Sequence, residues 1–454
     1  MLEQAEPDTA LPSVEPKKRG GLLQILGVWF GISAAVGCTI AAGIVRTPGD
    51  IARLLPDPFW FLGVWVIGGL YALCGASSLA ELSVLIPCSG GQYNYSRRAL
   101  GDYAGFIVGW SDWLSCCGTL AAVSIVVGEY STKLFSVPEG MEKAIAIATL
   151  VSFAFLQSQG SKIGSIAQLA TAFLKTAAFV VLVFACFLLG HPAPAATAPA
   201  SSLPSGTGLF VSIMLAMQAV FYTMDGWNSV IYFGEEVKNP AKDVPRAIFG
   251  SVFSVMAIYL LLNAAVLYIL PMSEIQGNKF CLGTVADKIF GSHGDTVIRS
   301  IMVVSLLSCI NATQLFCSRI LYAISQDGLF FKAAGKVSKG GTPVFALILS
   351  TLVAITFVLG SFERVIAMLS FFFVSNYALS YISLFILRRK EPNTPRAYKA
   401  WGYPWTSGIA LVVSLAFLVG SIMADRENAP LALALIVSSY PVFKLFQKSS
   451  RIQG

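Results

Sequence analysis

Long runs of apolar residues with few charges recur along the chain, separated by short polar segments. A membrane-spanning helix needs about 20 apolar residues. Continuous apolar runs differ from the alternating apolar and polar positions of a membrane β-strand. The pattern therefore predicts an all-α membrane protein with twelve transmembrane helices, at roughly 22–45, 58–86, 102–132, 142–158, 163–190, 208–234, 246–270, 296–326, 343–360, 364–387, 406–424 and 429–446.

The composition agrees with this prediction. Of 454 residues, 12% are charged and 56% are hydrophobic, whereas a soluble domain averages about 25% charged residues. A soluble enzyme of this size and a disordered chain are therefore both excluded. The net charge of +7 does not indicate nucleic-acid binding, because excess Lys and Arg in a membrane protein marks the cytoplasmic loops.

The loop charges also predict an orientation. With twelve spans, 20 Lys and Arg residues fall on one side and 9 on the other, so both termini are expected in the cytoplasm, with the protein in the plasma (inner) membrane. Residues 1–20 are polar and are expected to form a disordered cytoplasmic tail. Residues 191–207 contain no acid, Lys or Arg and are expected to form a flexible external loop.

Two spans contain residues that a continuous helix avoids. The first contains Gly37 and the segment 39–43, which ends in glycine, and the sixth contains Asp225 followed by Gly226. A charged group at membrane depth is costly and is usually functional. Paired interruptions in corresponding spans indicate a transporter site near the midplane. The alternative is that the glycines only allow close helix packing.

The chemistry of such breaks suits an amino acid. A half-helix that begins at Ala42 and Gly43 presents unpaired N–H groups to a carboxylate. Carbonyl groups before that break, and near Tyr222 and Asp225, can accept hydrogen bonds from an ammonium group. The predicted substrate-binding residues are Thr39, Ile40, Ala41, Ala42, Gly43, Tyr222, Asp225 and Gly226.

Five sequence motifs support this interpretation and point to a family. They are VGCTIAAGIVRTPG, AELSVLIPCSGGQYNYSRRALG, FYTMDGWNSVIYFGEEVKNPAKDVPRAI, NATQLFCSRILYAISQDGLF and LRRKEPNTPRAYKAWGYPW. In this order they resemble the amino acid–polyamine–organocation (APC) superfamily, specifically its L-amino-acid-transporter-like permeases. One departure is Ala41-Ala42-Gly43, where the family has Gly-Ser-Gly, so the hydroxyl that often helps to hold the substrate carboxylate is absent.

The resemblance implies a five-plus-five inverted repeat, LeuT-like, with broken helices 1 and 6 and alternating-access transport. The repeats would occupy residues 21–190 and 208–390, and two further helices would occupy residues 391–454. Tyr222 matches the position of an aromatic lid over the substrate.

Lys175 is the one lysine deep inside a span. By the same resemblance it occupies the place that a sodium ion takes between helices one, five and eight of related transporters. Its role would be to mimic that cation, which implies transport without sodium. The alternative is a structural pair with a nearby acid.

The sequence therefore predicts a secondary active transporter of amino acids, either an exchanger or a proton-coupled symporter, and not an enzyme. A sodium-coupled transporter, an amine or polyamine transporter, and a polytopic membrane sensor or enzyme are the alternatives. We expect no cofactor and no metal, since the nine cysteines lack metal-type spacing. The expected partners are the substrate and membrane lipid. Nucleic acid is not expected. A disulfide-linked subunit is not expected either, because the loop 133–143 has no cysteine.

The orientation can be tested by labelling an introduced cysteine with a membrane-impermeant reagent. In intact cells, Ser201→Cys in the predicted external loop should gain labelling over the unmodified chain. The control Ser450→Cys, near the C-terminus, should gain labelling only after permeabilisation. The reverse pattern would contradict the predicted topology.

Overall fold

The computed structural model of the protein describes residues 22–41, 43–138, 140–193, 203–360, 362–424 and 429–452. Its α-helices are Val28–Thr39 (α1), Gly43–Leu54 (α2), Pro58–Leu85 (α3), Gln92–Leu100 (α4), Asp102–Leu134 (α5), Glu142–Ser158 (α6), Ser161–Leu189 (α7), Thr207–Met224 (α8), Pro240–Ile269 (α9), Met272–Ile275 (α10), Cys281–Phe290 (α11), Gly294–Gln326 (α12), Val344–Val358 (α13), Phe362–Lys390 (α14), Trp405–Ala424 (α15) and Ala429–Ile452 (α16). Short 3-10 helices cover Ser229–Tyr232, Gly291–His293 and Lys332–Gly335. The predicted tail, residues 1–20, and residues 194–202 of the predicted external loop lie outside the described residues.

The helices confirm the all-α membrane class. Among the described residues, seven helices are long and apolar enough to cross a membrane: α3, α5, α7, α8, α9, α12 and the Phe371–Lys390 part of α14. Three shorter apolar helices occupy Val28–Thr39, Val344–Val358 and Trp405–Gly420.

Helices α5 and α12 pack along each other and form the centre of the bundle. Most of the apolar stretch of each is buried by other helices, whereas α7 and α8 are mainly peripheral. On α7, Phe173 and Leu188 are each 77% exposed. Exposed apolar side chains of this size suit lipid tails, which are as apolar as the side chains themselves.

Local sequence determines where several helices begin. Asp57 precedes α3, and its carboxylate accepts a hydrogen bond from the backbone N–H of Trp60 at 3.1 Å. Pro58 then takes the first helical position, where its missing N–H is not needed. Pro240 takes the same position in α9.

The predicted boundaries differ from the structure where helices are amphipathic. The first apolar run was predicted to end at residue 45, yet α2 continues to Leu54 and includes Asp50 and Arg53. Helices α4 and α11 were not predicted as separate elements. A search for long apolar runs marks only the apolar part of a helix, while backbone hydrogen bonding continues into its polar turns.

Ion pairs join several elements at one end of the bundle. The pairs are Arg319–Glu236, Arg388–Glu81, Arg396–Glu81, Arg97–Asp327 and Arg98–Glu391. Because α4 carries both Arg97 and Arg98, it connects the turn after α12 with the turn after α14. The pair between Arg319 and Glu236 is almost fully buried, with 1% and 0% of the side chains exposed. Removal of one partner from such a pair typically costs about 3–5 kcal/mol.

Candidate functional site

The first predicted break lies between α1 and α2. Helix α1 ends at Thr39 and α2 begins at Gly43. The last carbonyl groups of a helix have no partner inside that helix. In this protein four successive carbonyls each accept a hydrogen bond from a side chain of another helix. The acceptor and donor pairs are Gly37 with Lys175 Nζ (2.8 Å), Cys38 with Cys309 Sγ (3.3 Å), Thr39 with Tyr259 OH (2.8 Å) and Ile40 with Ser305 Oγ (2.7 Å).

Lys175 lies between three helices. Its side chain is fully buried, and its ammonium donates to the carbonyls of Gly37 on α1 and Ser305 on α12, at 2.8 and 3.3 Å. Among the described residues it forms no ion pair, so no nearby acid supports the alternative of a structural pair. Carbonyl oxygens from two helices surround its charge, as oxygen ligands surround a small bound cation.

The second break follows α8. Asp225 has an extended backbone (φ −62°, ψ 149°), and Gly226 has φ +103°, a left-handed conformation that favours glycine. A Cβ atom on Gly226 would lie 2.9 Å from Cys38 Sγ and 3.1 Å from Thr39 Oγ1. The chain resumes as one short 3-10 helix, Ser229–Tyr232. Glycine is therefore needed both for the turn and for close approach to the first break.

The hydroxyl of Tyr259 on α9 joins the two breaks. It lies 2.8 Å from the carbonyl oxygen of Thr39 and 3.0 Å from that of Thr223, and it has one proton to share between them. Thr223 Oγ1 also lies 2.7 Å from Thr47 Oγ1 on α2. The ends of both interrupted helices are thus held side by side.

A cavity of about 30 Å³ adjoins the breaks, with room for about two waters. It is bordered by Asp225 and Gly226 on one side and by Asp112 on α5. Asp225 Oδ1 accepts a hydrogen bond from the Tyr377 hydroxyl at 2.6 Å, and Asp112 Oδ1 accepts one from the Tyr232 hydroxyl at 3.1 Å. A second cavity of about 20 Å³ is bordered by Tyr222 and Asp225.

The predicted site residues are distributed around these features. Asp225 and Gly226 line the first cavity and Tyr222 lines the second. Thr39 and Ile40 contribute carbonyl groups to the first break, and Ala41 is half-buried between the two helices. Gly43 faces α8, where a Cβ atom would lie 2.8 Å from Thr223 Oγ1. Ala42 lies outside the described residues.

Sequence reasoning missed the side chains that complete the breaks, namely Tyr259, Ser305 and Tyr377. Each stands in an apolar span, where one more Ser or Tyr gives no distinct signal. In the part of the chain that the structure describes, no group of three or more His, Cys, Asp or Glu residues could hold a metal ion.

Comparison with known proteins identifies the class. The model of the amino acid permease family matches residues 22–440, nearly the whole chain. The chain therefore belongs to the amino acid permease family, which confirms the resemblance. It is a multi-pass membrane protein, and its family consists of permeases and not of enzymes.

Individual members of known function are similar in sequence to this chain along most of their length. The serine/threonine exchanger SteT of Bacillus subtilis is 27% identical over 93% of this chain and 97% of its own. The human b(0,+)-type amino acid transporter 1 is 26% identical over 87% of this chain and 82% of its own. The branched-chain amino acid permease BcaP of Bacillus subtilis is 26% identical over 87% of each chain.

Tyr259→Phe should weaken the connection between the breaks. It removes the hydroxyl and keeps the ring, whose centroid lies 5.4 Å from that of Trp65. A buried acceptor left without its donor costs about 1–3 kcal/mol, so both thermal stability in detergent and transport should fall. Tyr440→Phe, at a residue that is 50% exposed, is the control and should change neither. Equal behaviour of the two variants would contradict the bridging role.

Proposed function

We propose that this protein carries amino acids across the plasma (inner) membrane by alternating access, without sodium, as an exchanger or a proton-coupled symporter. The observation that supports this most directly is the pair of chain breaks that Tyr259 holds side by side. Both breaks leave carbonyl groups at the end of a helix, and the first break also begins α2, whose first residue lies beside Thr223 near the end of α8. Paired breaks with free N–H and free carbonyl groups suit a substrate that carries both charges. The names of the relatives, which are amino acid exchangers and permeases, favour the same substrate class.

The proposed architecture has twelve spans in a five-plus-five inverted repeat, LeuT-like, with broken helices 1 and 6. The repeats are residues 21–190 and 208–390, followed by two helices in residues 391–454, and both termini are cytoplasmic. Support comes from the position of the breaks, which fall in the first and sixth of the predicted spans. The arginine-rich end of the bundle, with its five ion pairs, would be the cytoplasmic end.

In the proposed binding mode, the substrate carboxylate accepts hydrogen bonds from the N–H groups of Ala42 and Gly43 at the start of α2. The ammonium group lies near the carbonyls of Thr39, Tyr222 and Asp225. The Thr39 carbonyl already accepts from Tyr259, but a carbonyl oxygen has two lone pairs and can accept a second donor. Ile40, Ala41 and Gly226 shape the backbone around this position.

Sodium independence is proposed from the surroundings of Lys175. Its ammonium takes two carbonyl ligands, from Gly37 and Ser305, so the space for a separate cation between these helices is already filled. We also expect no cofactor and no disulfide-linked subunit.

Amine or polyamine transport is the second candidate, because two acids, Asp112 and Asp225, border the cavity. An amino acid carries a carboxylate and an amine or polyamine does not, so analogues without a carboxylate distinguish the two functions. Uptake into proteoliposomes of a panel of labelled amino acids should be inhibited strongly by unlabelled amino acid and weakly by its methyl ester or its decarboxylated amine. Equal inhibition by the amino acid and its decarboxylated amine would favour amine transport.

This panel of analogues is a sharper test than substitution of Gly43. Even a single methyl group there would contact Thr223, so loss of activity in such a variant could reflect altered packing.

Lys175→Ala should abolish most amino acid uptake. In the unmodified protein, sodium should not change the uptake rate. The substitution removes the ammonium donor from the carbonyls of Gly37 and Ser305, and loss of a hydrogen bond from a charged donor costs about 1.5–3 kcal/mol. Initial uptake rates would be measured in sodium and in choline buffers, with size-exclusion chromatography to establish that the variant is folded. Lys162→Ala, at an exposed residue near the start of the same helix, is the control. Stimulation of the unmodified protein by sodium, or full activity of Lys175→Ala, would refute the proposed role.

A further inference from the structure

Four buried polar atoms that lack hydrogen-bond partners among the described residues belong to side chains around one cavity. Each residue comes from a different element: α5, α4, the turn after α8, and α14. The atoms are Asp112 Oδ2, Gln92 Oε1, Asn228 Nδ2 and Asn376 Nδ2. Buried polar groups are nearly always paired, so an orphaned group needs a physical reason. Four around the same cavity indicate a place built to receive a polar ligand.

No cationic side chain among the described lining residues faces the two acids of this cavity. Asp112 and Asp225 both border it, and no Lys, Arg or His is among its described lining residues. Two other buried carboxylates, those of Glu236 and Glu81, have arginine partners. Because burial disfavours a carboxylate that has no counter-charge, a ligand that carries positive charge would stabilise the ionised form of these acids.

Asp112 is held in a fixed position. Its side chain is 3% exposed, and its Oδ1 accepts from the Tyr232 hydroxyl at 3.1 Å. The Tyr232 ring stacks on Phe316 with centroids 4.9 Å apart. Tyr232 ends the 3-10 helix that follows the second break, so Asp112 is coupled to the break by one side chain while Oδ2 stays free to accept.

We propose that this cavity is the side-chain subsite of the transporter, and that Asp112 selects amino acids whose side chains end in a cation. The inference rests on the proposed function, in which the α-ammonium group lies at the breaks near Asp225. That arrangement leaves Asp112 without a counter-charge, and a basic amino acid supplies one. The amides of Asn228 and Asn376 add donors for an accompanying water or carbonyl oxygen.

The lining must separate to admit such a side chain, since the cavity has a volume of only about 30 Å³. The opening of a binding site between two helix groups is inherent in alternating access.

The first test uses the unmodified protein in proteoliposomes and pairs of ligands that differ in the terminal ammonium. Lysine is compared with norleucine, and ornithine with norvaline, as inhibitors of labelled amino acid uptake. We expect each basic member to inhibit at a concentration about ten- to a hundredfold lower than its neutral partner, the range of a charge-assisted hydrogen bond. Equal inhibition within the pairs, or stronger inhibition by the neutral members, would overturn the proposal.

The second test assigns the selectivity to Asp112. Asp112→Asn keeps the size of the side chain and removes its charge, so the ratio of kcat/KM for lysine to that for norleucine should fall about ten- to a hundredfold. Asp102→Asn, on the same helix but 55% exposed and outside the cavity, is the control and should leave the ratio unchanged. An unchanged ratio in Asp112→Asn, or equal losses for both substrates, would refute the assignment.

The two proposals fail differently. If no labelled amino acid enters proteoliposomes that are preloaded with unlabelled amino acids, with or without a proton gradient, the proposed function is wrong and this inference falls with it. If neutral amino acids accumulate and basic ones neither accumulate nor compete, the proposed function stands and only this inference is wrong.

Discussion

The main constraint on this structure is that the backbone carbonyl groups at an interrupted helix need hydrogen-bond donors inside an apolar bundle. Each carbonyl that loses its helical partner must find another donor, because neither lipid nor an apolar core supplies one. Four consecutive carbonyls at the end of α1 find donors on three different helices, α7, α9 and α12. The break is therefore a junction that fixes the relative positions of these helices. Any movement of α1 during transport must exchange these hydrogen bonds together.

The buried acids have two kinds of surroundings. At one end of the bundle the buried acids are matched by arginines, and Glu81 receives two of them. In the cavity beside the breaks, Asp112 accepts a hydrogen bond from the hydroxyl of Tyr232 and Asp225 accepts one from that of Tyr377. A neutral hydroxyl orients a carboxylate without cancelling its charge. The molecule thus separates acids that pair with arginines from acids that accept hydrogen bonds from tyrosine hydroxyls.

The sequence was sufficient to predict the class, most of the apolar helices and both breaks, because long apolar runs are typical of membrane spans and an Asp-Gly pair inside one disfavours a regular helix. It also pointed to Lys175, which the structure places against the end of α1. The partners of the breaks could not be predicted. Ser305 and Tyr259 are ordinary residues in apolar spans, and their roles arise from helix packing between segments more than 200 residues apart in sequence. Amphipathic elements such as α4 and α11 gave too weak a pattern for a search based on long apolar runs.

The position of Lys175 has an energetic consequence. A free sodium ion that crosses a membrane with its substrate moves charge through the transmembrane potential, about 2.3 kcal/mol for each 100 mV. The ammonium of Lys175 is covalently attached to α7, so it cannot be released on the other side and draws no work from a sodium gradient. Under the proposed sodium independence, the carrier would obtain its driving force from the concentration gradients of its own cargo, or from a proton. Which substrate accumulates then depends on which cargo is abundant on the opposite side.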